Sequence, residues 1–217
     1  MSKKLTHPVV RCTQLWLFEH LYRHPRLYEL VAWAAFGGEW HRWRQTVLRA
    51  VGAGRVLDLG CGTGALLPEL NARAVAIGLD RSPSMLRAAR RRASGRLVRA
   101  DARALPFRDG TFTTVVSAFP APFILSRETL EEIARVLRPG GRFVVVIGGE
   151  ITAWQGWRRP IGVLVRQFYG ARDPNSEIPG VPLHHAAFEG TWEIVLTPRG
   201  RAVVWTATRR EGPVESA

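Results

Sequence analysis

The 217-residue sequence is 46% hydrophobic, carries eight Trp and only two Cys, and has a formal net charge of +13. That apolar content excludes disorder and collagen-like repeats. Cys12 and Cys61 are too few and too isolated for a disulfide framework or a zinc knuckle, and the longest apolar runs, Leu30 to Phe36 and Phe143 to Gly148, fall far short of the ~18 residues of a membrane-spanning helix.

The length predicts one domain able to bury about 70% of its unfolded surface. Lys3 and Lys4 are followed by no sustained apolar stretch and no small-residue cleavage pattern, so the expected setting is cytoplasmic. All but two of the 31 basic residues are Arg. Such a balance is compatible with nucleic acid, an anionic membrane surface or an anionic substrate. Arg-rich usage runs through the whole chain, however, as a genome-wide bias would. The densest cluster, Arg87, Arg90, Arg91, Arg92, Arg96 and Arg99, surrounds a predicted helix and reads as its solvated face.

Residues 12–51 look like two or three helices broken by Pro25 and Gly37-Gly38, and they hold four of the eight Trp. From residue 55 onward short β-branched runs alternate with helical patterns, the signature of βαβ units and a parallel sheet. Arg55 to Leu59 predicts a first strand, Ala65 to Ala72 a helix after a glycine turn, and Ala74 to Leu79 a second strand. Ser82-Pro83 suits a helix start, with Ser at the cap and Pro in the first turn. Arg96 to Arg99 and Thr113 to Ala118 predict strands three and four. Arg127 to Leu137 places Leu130, Ile133, Ala134 and Leu137 at helical spacing, with Glu128, Glu131 and Glu132 expected on the wet side. Pro139-Gly140-Gly141 stops that helix, and Arg142 to Ile147 predicts a fifth strand buried on both faces. Residues 151–190 again leave the alternation, with a helical stretch from Ile161 to Phe168 and a Pro/Gly-rich loop. Trp192 to Leu196 and Ala202 to Ala207 then flank Pro198-Arg199-Gly200 as a terminal β-hairpin. The expected organisation is an N-terminal helical lid or substrate region over 1–51 and a core over 52–217 carrying a cap insertion at 151–190, together one domain.

Val56-Leu57-Asp58-Leu59-Gly60-Cys61-Gly62-Thr63-Gly64 sets a glycine-rich turn between a strand and a helix. Glycines there let the backbone approach a ligand closely, and free N–H groups at the helix start favour an anionic group. By itself the pattern also fits a relaxed dinucleotide fingerprint, since Asp80 lies about 20 residues on, where a ribose-binding acid is expected.

The segment resembles motif I of class I S-adenosylmethionine-dependent methyltransferases, in the small-molecule branch that includes the ubiquinone/menaquinone-biosynthesis type. The likeness continues through Gly78-Leu79-Asp80 with Ser82-Pro83-Ser84-Met85-Leu86. It extends through Ala100-Asp101-Ala102 with Leu105-Pro106-Phe107 and Asp109-Gly110-Thr111-Phe112, and through Leu137-Arg138-Pro139-Gly140-Gly141. The resemblance implies a Rossmann-like α/β fold, with a mostly parallel seven-stranded sheet, a C-terminal antiparallel hairpin and helices on both faces. It implies S-adenosylmethionine as cofactor and no metal. Gly60, Gly62 and Gly64 would cradle the methionine portion, with Cys61 filling the loop and not acting as a nucleophile. Asp58 would lie near the ammonium group, Asp80 with neighbouring Arg81 at the ribose hydroxyls, Asp101 at the adenine amine with Ala102 beside the ring, and Ser117 at the end of strand four. Ionised carboxylates only accept hydrogen bonds, which suits all three Asp roles. Met85 either packs on the adenine or belongs to the core.

The sequence departs from the family before strand four, where Gly110-Thr111-Phe112-Thr113 stands, and after it, where Ser117-Ala118-Phe119-Pro120-Ala121-Pro122-Phe123 replaces a common His pair. A sulfonium methyl is already activated, so alignment and exclusion of water are the main tasks, and a base is needed only where the acceptor must lose a proton. Tyr22, Tyr28, His41, His184 and His185 lie in the flanking regions; Tyr22, Tyr28 and His184 are the candidates for that base, each alone more readily read as structural. His41-Arg42-Trp43-Arg44 is similar to the entry segment of quinone-pathway and phospholipid methyltransferases, so the expected acceptor is a small hydrophobic molecule or lipid, with peripheral contact to the inner face of a membrane. Methylation of RNA is the rival from another class. Neither of the strand-four turns of nucleic-acid methyltransferases is present, so nucleic acid is not the expected partner. A non-catalytic cofactor-binding protein is the third alternative.

Overall fold

The computed structural model describes residues 24–92, 96–152 and 185–211. Helix α1 is Pro25–Phe36, α2 is Glu39–Gln45, and a 3-10 turn follows at Thr46–Ala50. Then come β1 Arg55–Leu59, α3 Leu67–Asn71, β2 Val75–Asp80, α4 Pro83–Ala89, β3 Leu97–Arg99 and β4 Phe112–Ala118. A second 3-10 turn at Pro122–Leu125 leads to α5 Arg127–Val136, β5 Leu137–Ile151, β6 Phe188–Thr197 and β7 Gly200–Arg209.

The strands form a seven-stranded sheet in the order β3-β2-β1-β4-β5-β7-β6. The first five run parallel, and β7 joins β5 antiparallel and carries β6 as the outer arm of a hairpin. The order reverses between β1 and β4, which opens a crevice at their carboxyl ends. Leu59, Gly60, Ala118 and Phe119 stand at that point.

Local chemistry accounts for the helix ends. Ser82 caps α4, its hydroxyl accepting from Met85 N at 3.4 Å, and Pro83 occupies the first turn. Ser126 caps α5 in the same way, 3.5 Å from Thr129 N. Pro25 starts α1 where a break was expected; its missing N–H costs nothing in a first turn. Gly37 and Gly38 end α1 and lead into α2 with φ of 60° and 87°.

Helix α5 buries Leu130, Ile133 and Ala134 against the sheet. Glu132 is not on the wet side. It is half-buried, accepting from Leu105 N at 2.6 Å and pairing with Arg135 Nε at 2.6 Å. Arg135 also donates to the carbonyls of Phe107 and Leu105 and to Asp109. A charged pair thereby satisfies the backbone of the loop between β3 and β4, which has no strand partner of its own.

Strand β5 begins five residues earlier and runs four residues further than the Arg142 to Ile147 expected from its apolar run. The parallel partner β4 pairs up to Val146, and beyond it the antiparallel ladder with β7 continues from Gly148 to Ile151. Helix α2 docks on this extension. Trp43 is fully buried, and a Cβ on Gly149 would stand 2.3 Å from its ring. Glu39, also fully buried, accepts from Thr197 Oγ1 at 2.5 Å and from Arg42 at 2.5 Å, and Trp43 Nε1 donates to Thr197 at 3.3 Å. Helix α2 is thus bolted to the hairpin as well as packed on the sheet.

Candidate functional site

The loop after β1 turns through three left-handed glycines, Gly60, Gly62 and Gly64, at φ of 74°, 53° and 70°. Two of them serve different ends. A Cβ on Gly64 would meet Ala89 at 2.9 Å, so this glycine lets α4 pack close; a Cβ on Gly62 would meet nothing within 4 Å, so that one faces open space. The loop amides are not free, however. Gly60 and Cys61 both donate to the Leu79 carbonyl, at 2.8 and 3.0 Å, and Gly64 donates to Cys61 O at 2.9 Å. Gly62 N donates to Asp80 Oδ2 at 2.9 Å. The expectation of free N–H groups waiting for an anion does not hold at these four positions, because the end of β2 uses three of them to hold the loop in shape.

Asp80 is 7% exposed, and its other oxygen accepts from Ser82 N at 2.8 Å. Burial raises its pKa, opposed by those backbone donors. Asp58, 2% exposed on β1, is pushed up to about 7, first by burial and further by Asp80, against the pull of Arg44. Burial likewise pushes the Cys61 thiol well up, so it is not a reactive thiolate.

A cleft of about 40 Å³ opens at the switch point, bounded by Tyr28, Trp40 and Arg44 from the two N-terminal helices and by Asp58, Gly62 and Ala118 from the sheet side. Met85 also reaches it while remaining fully buried. Trp40 stacks on Phe119 with ring centres 3.8 Å apart and on Phe36 at 5.1 Å, while Tyr28 meets it edge-on at 6.5 Å. Phe119 is the one non-glycine among the described residues with positive φ, 55°. A backbone in that region is strained and is kept where surrounding contacts require it; here the ring stack and Phe119 N donating to Val146 O at 2.7 Å supply them.

The remaining sequence-derived residues divide. Asp101 lies at the edge of the sheet, with both carboxylate oxygens taken by Arg103, at 3.0 and 2.7 Å, which holds its carboxyl well below the usual range. Ala102 is buried beside it at 4% exposure. Arg81 is exposed, its guanidinium 4.7 Å above the Phe123 ring. Ser117 is buried within the sheet and its hydroxyl donates to Leu59 O at 2.8 Å, so β4 is stitched to β1 there, and neighbouring Ala118 reaches the cleft. His41 sits 3.3 Å from Glu69, with burial lowering its pKa. His185 packs near Phe188. Tyr22 and His184 lie outside the described residues.

Sequence reasoning missed Trp40 and Arg44 as cleft residues and missed a clasp closing α1 over the loop. Glu29 of α1 accepts from Thr63 Oγ1 at 2.6 Å and from Arg92 NH2 at 2.8 Å, with Arg92 NH1 on its other oxygen. The spacing of Trp40 and Arg44, four residues apart on one helix face, was the available signal.

The family model described as a methyltransferase domain matches residues 56–141. The chain is 46% identical over 101 residues to the demethylmenaquinone methyltransferase of Thermus thermophilus, covering 42% of this chain and 46% of that protein. It is 41% identical over 101 residues to the phosphatidylethanolamine N-methyltransferase of Cereibacter sphaeroides, covering 43% and 50%. The chain therefore spans about half the length of these relatives. An S-adenosylmethionine-dependent methyltransferase of Thermotoga maritima shares the fold at a TM-score of 0.61 and 19% identity, over 88% of this chain and 99% of that one.

Proposed function

We propose that the chain transfers the methyl group of S-adenosylmethionine to a small hydrophobic acceptor. The observation that carries this reading is the juxtaposition, at the β1/β4 switch point, of a buried carboxylate, Asp58, an outward-facing glycine, Gly62, and the Trp40 ring, which Phe119 backs by stacking.

The residues present fit the cofactor. Asp58 is an acceptor desolvated enough to want a cation, which suits an ammonium group. Gly62 leaves space where a side chain would block the methionine portion. Asp80 uses one lone pair on each oxygen for the backbone and retains others for ribose hydroxyls. Asp101, shared with Arg103, would accept the adenine amine, with Ala102 against the ring. Asp80 and Asp101 are outside the lining of the cleft, towards the tips of β2 and β3. When bound, the cofactor supplies a methyl group on a positively charged sulfur that needs no further activation. The chain's task is then to orient the acceptor and keep water out, and Trp40, backed by the Phe36 and Phe119 rings stacked on it, forms the aromatic face of the cleft. Tyr28, on the cleft wall, is the described candidate for taking a proton from the acceptor.

A greasy acceptor is favoured by the outer face of α1, where Leu27, Leu30, Val31 and Trp33 are 42–59% exposed. The quinone- and phospholipid-directed relatives agree with such an acceptor, and no described helix is long and apolar enough to cross a membrane. The test is transfer of labelled methyl from S-adenosylmethionine to quinone, lipid and RNA fractions. Counts are expected in the organic extract. Counts confined to RNA would overturn the acceptor assignment, and calorimetry showing no cofactor binding would overturn the whole reading.

A further inference from the structure

Arg44 is a cation in the wrong surroundings for an unliganded protein. Its Nε is fully buried without a hydrogen-bond partner. Burial lowers its pKa, with Tyr28, Glu29 and Asp58 only partly compensating. Buried polar groups are almost always satisfied, and a buried guanidinium nitrogen left without a partner is costly. Four residues earlier on the same helix face, Trp40 Nε1 is also buried and unpartnered. Both side chains line the cleft that contains Asp58, and Arg44 also borders the open groove of about 370 Å³ on its other side, between His41 and Arg92.

Two orphan donors in one cleft call for an acceptor group, and a guanidinium fork matches a carboxylate in particular. The glycine loop does not compete for that group through Gly60, Cys61, Gly62 or Gly64, whose amides are already bonded. The opposite sign, on Asp58, lies on the sheet side of the cleft. We infer that Arg44 binds the carboxylate of the cofactor's methionine portion, with Trp40 Nε1 as a second donor, so that α2 is a ligand-binding helix and not merely a cover. This rests on the cofactor reading proposed above. Arg44 and Asp58 together then recognise a zwitterion: one holds its anionic end, the other its cationic end.

The experiment is calorimetric titration of the full chain with S-adenosylhomocysteine and with its decarboxylated analogue, which keeps the nucleoside, the thioether and the amine. Arg44→Ala is expected to weaken S-adenosylhomocysteine about tenfold to a hundredfold, as for a lost charge-assisted hydrogen bond, and the analogue less than about twofold. Arg44→Lys should recover part of the loss. Trp40→Phe, which keeps the ring stack and removes the donor, should cost several-fold for the first ligand alone. Without ligand, Arg44→Ala should melt no lower than the parent chain, since the Nε it removes is buried without a partner. Equal weakening of both ligands, no weakening of either, or a clear drop in the ligand-free midpoint would overturn the inference while leaving the cofactor reading intact. Should Arg44→Ala fail to fold, Trp40→Phe and Arg44→Lys decide by the same ratio. Binding of neither ligand by the parent chain would overturn the cofactor reading itself.

Discussion

Glu29 and Arg92 meet across 63 positions of sequence, and between them they hold Thr63, so that α1 is latched directly onto the glycine loop. The pair is about a third exposed on each side, which limits its contribution to global stability to roughly 1 kcal/mol or less after solvent screening. Its effect is local. Glu29→Gln is expected to leave the unfolding midpoint nearly unchanged while amide exchange in residues 25–36 speeds up, most at low salt. Unchanged exchange in α1, or a loss of several kcal/mol overall, would rule out the latch.

Trp43 on Gly149 is the opposite kind of contact, deep and dry. A methyl group at residue 149 would have to push the indole away from β5, since the ring lies 2.3 Å from where the Cβ would be. Overpacking of this kind costs about 1–3 kcal/mol. Gly149→Ala should lower the denaturation midpoint accordingly and loosen α2, and with it the Arg44 and Trp40 donors. A variant as stable as the parent chain would mean the helix is not seated as described.

Asp58 sets a pH dependence whose sign can be worked out. Its folded pKa of about 7 lies above the ordinary 3.8, so between those values the folded chain keeps a proton that the unfolded chain has lost. Stability from this group is therefore complete below pH 4 and is lost as pH rises towards 7, on the order of 4 kcal/mol in all. Asp101, Glu29 and Glu132, whose pKa values are lowered, act in the reverse direction, so the comparison needed is the difference between the parent chain and Asp58→Asn. That difference should shift in favour of Asn as pH rises from 4 to 7. A cofactor ammonium needs the ionised carboxylate, so binding at pH 6 should release close to one proton and at pH 8 almost none from Asp58. Titrations in buffers of different ionisation enthalpy measure this directly, and equal release at both pH values would remove Asp58 from the ammonium site.

What the sequence revealed and what it hid follow from range. The glycine loop, the α4 cap and the C-terminal hairpin are local: a few adjacent residues determine each, and strand period or turn chemistry exposes them, whereas Asp58 and Asp80 are singled out by the family resemblance. Strand β5 was legible only where it is buried on both faces; its last residues, Gly148 to Ile151, are strand because β7 pairs with them, a fact no local pattern carries. Glu132 looked solvent-facing because helical period cannot register a bond to Leu105 N. The roles of Trp40 and Arg44 are less local still. Their spacing marks a shared helix face, but only docking of α2 through Trp43 and Glu39 turns that face towards Asp58.

The exposed face of α1 invites a last test. Leu27, Leu30, Val31 and Trp33 are exposed on a helix whose opposite side packs Ala32 into the protein, and Arg87 of neighbouring α4 is exposed together with Arg90 and Arg91 in the turn that follows it. Apolar side chains beside arginines favour a surface that is both greasy and anionic, where each basic residue adds about 1 kcal/mol and the attraction fades with salt. Co-sedimentation with vesicles containing anionic lipid is expected at low ionic strength, weaker with neutral vesicles, and reduced at least several-fold by Leu30→Ser with Trp33→Ser. Those substitutions touch exposed positions, so the melting temperature should hold. Binding that depends on the arginines but ignores Leu30 and Trp33 would make the contact purely electrostatic and remove α1 from it.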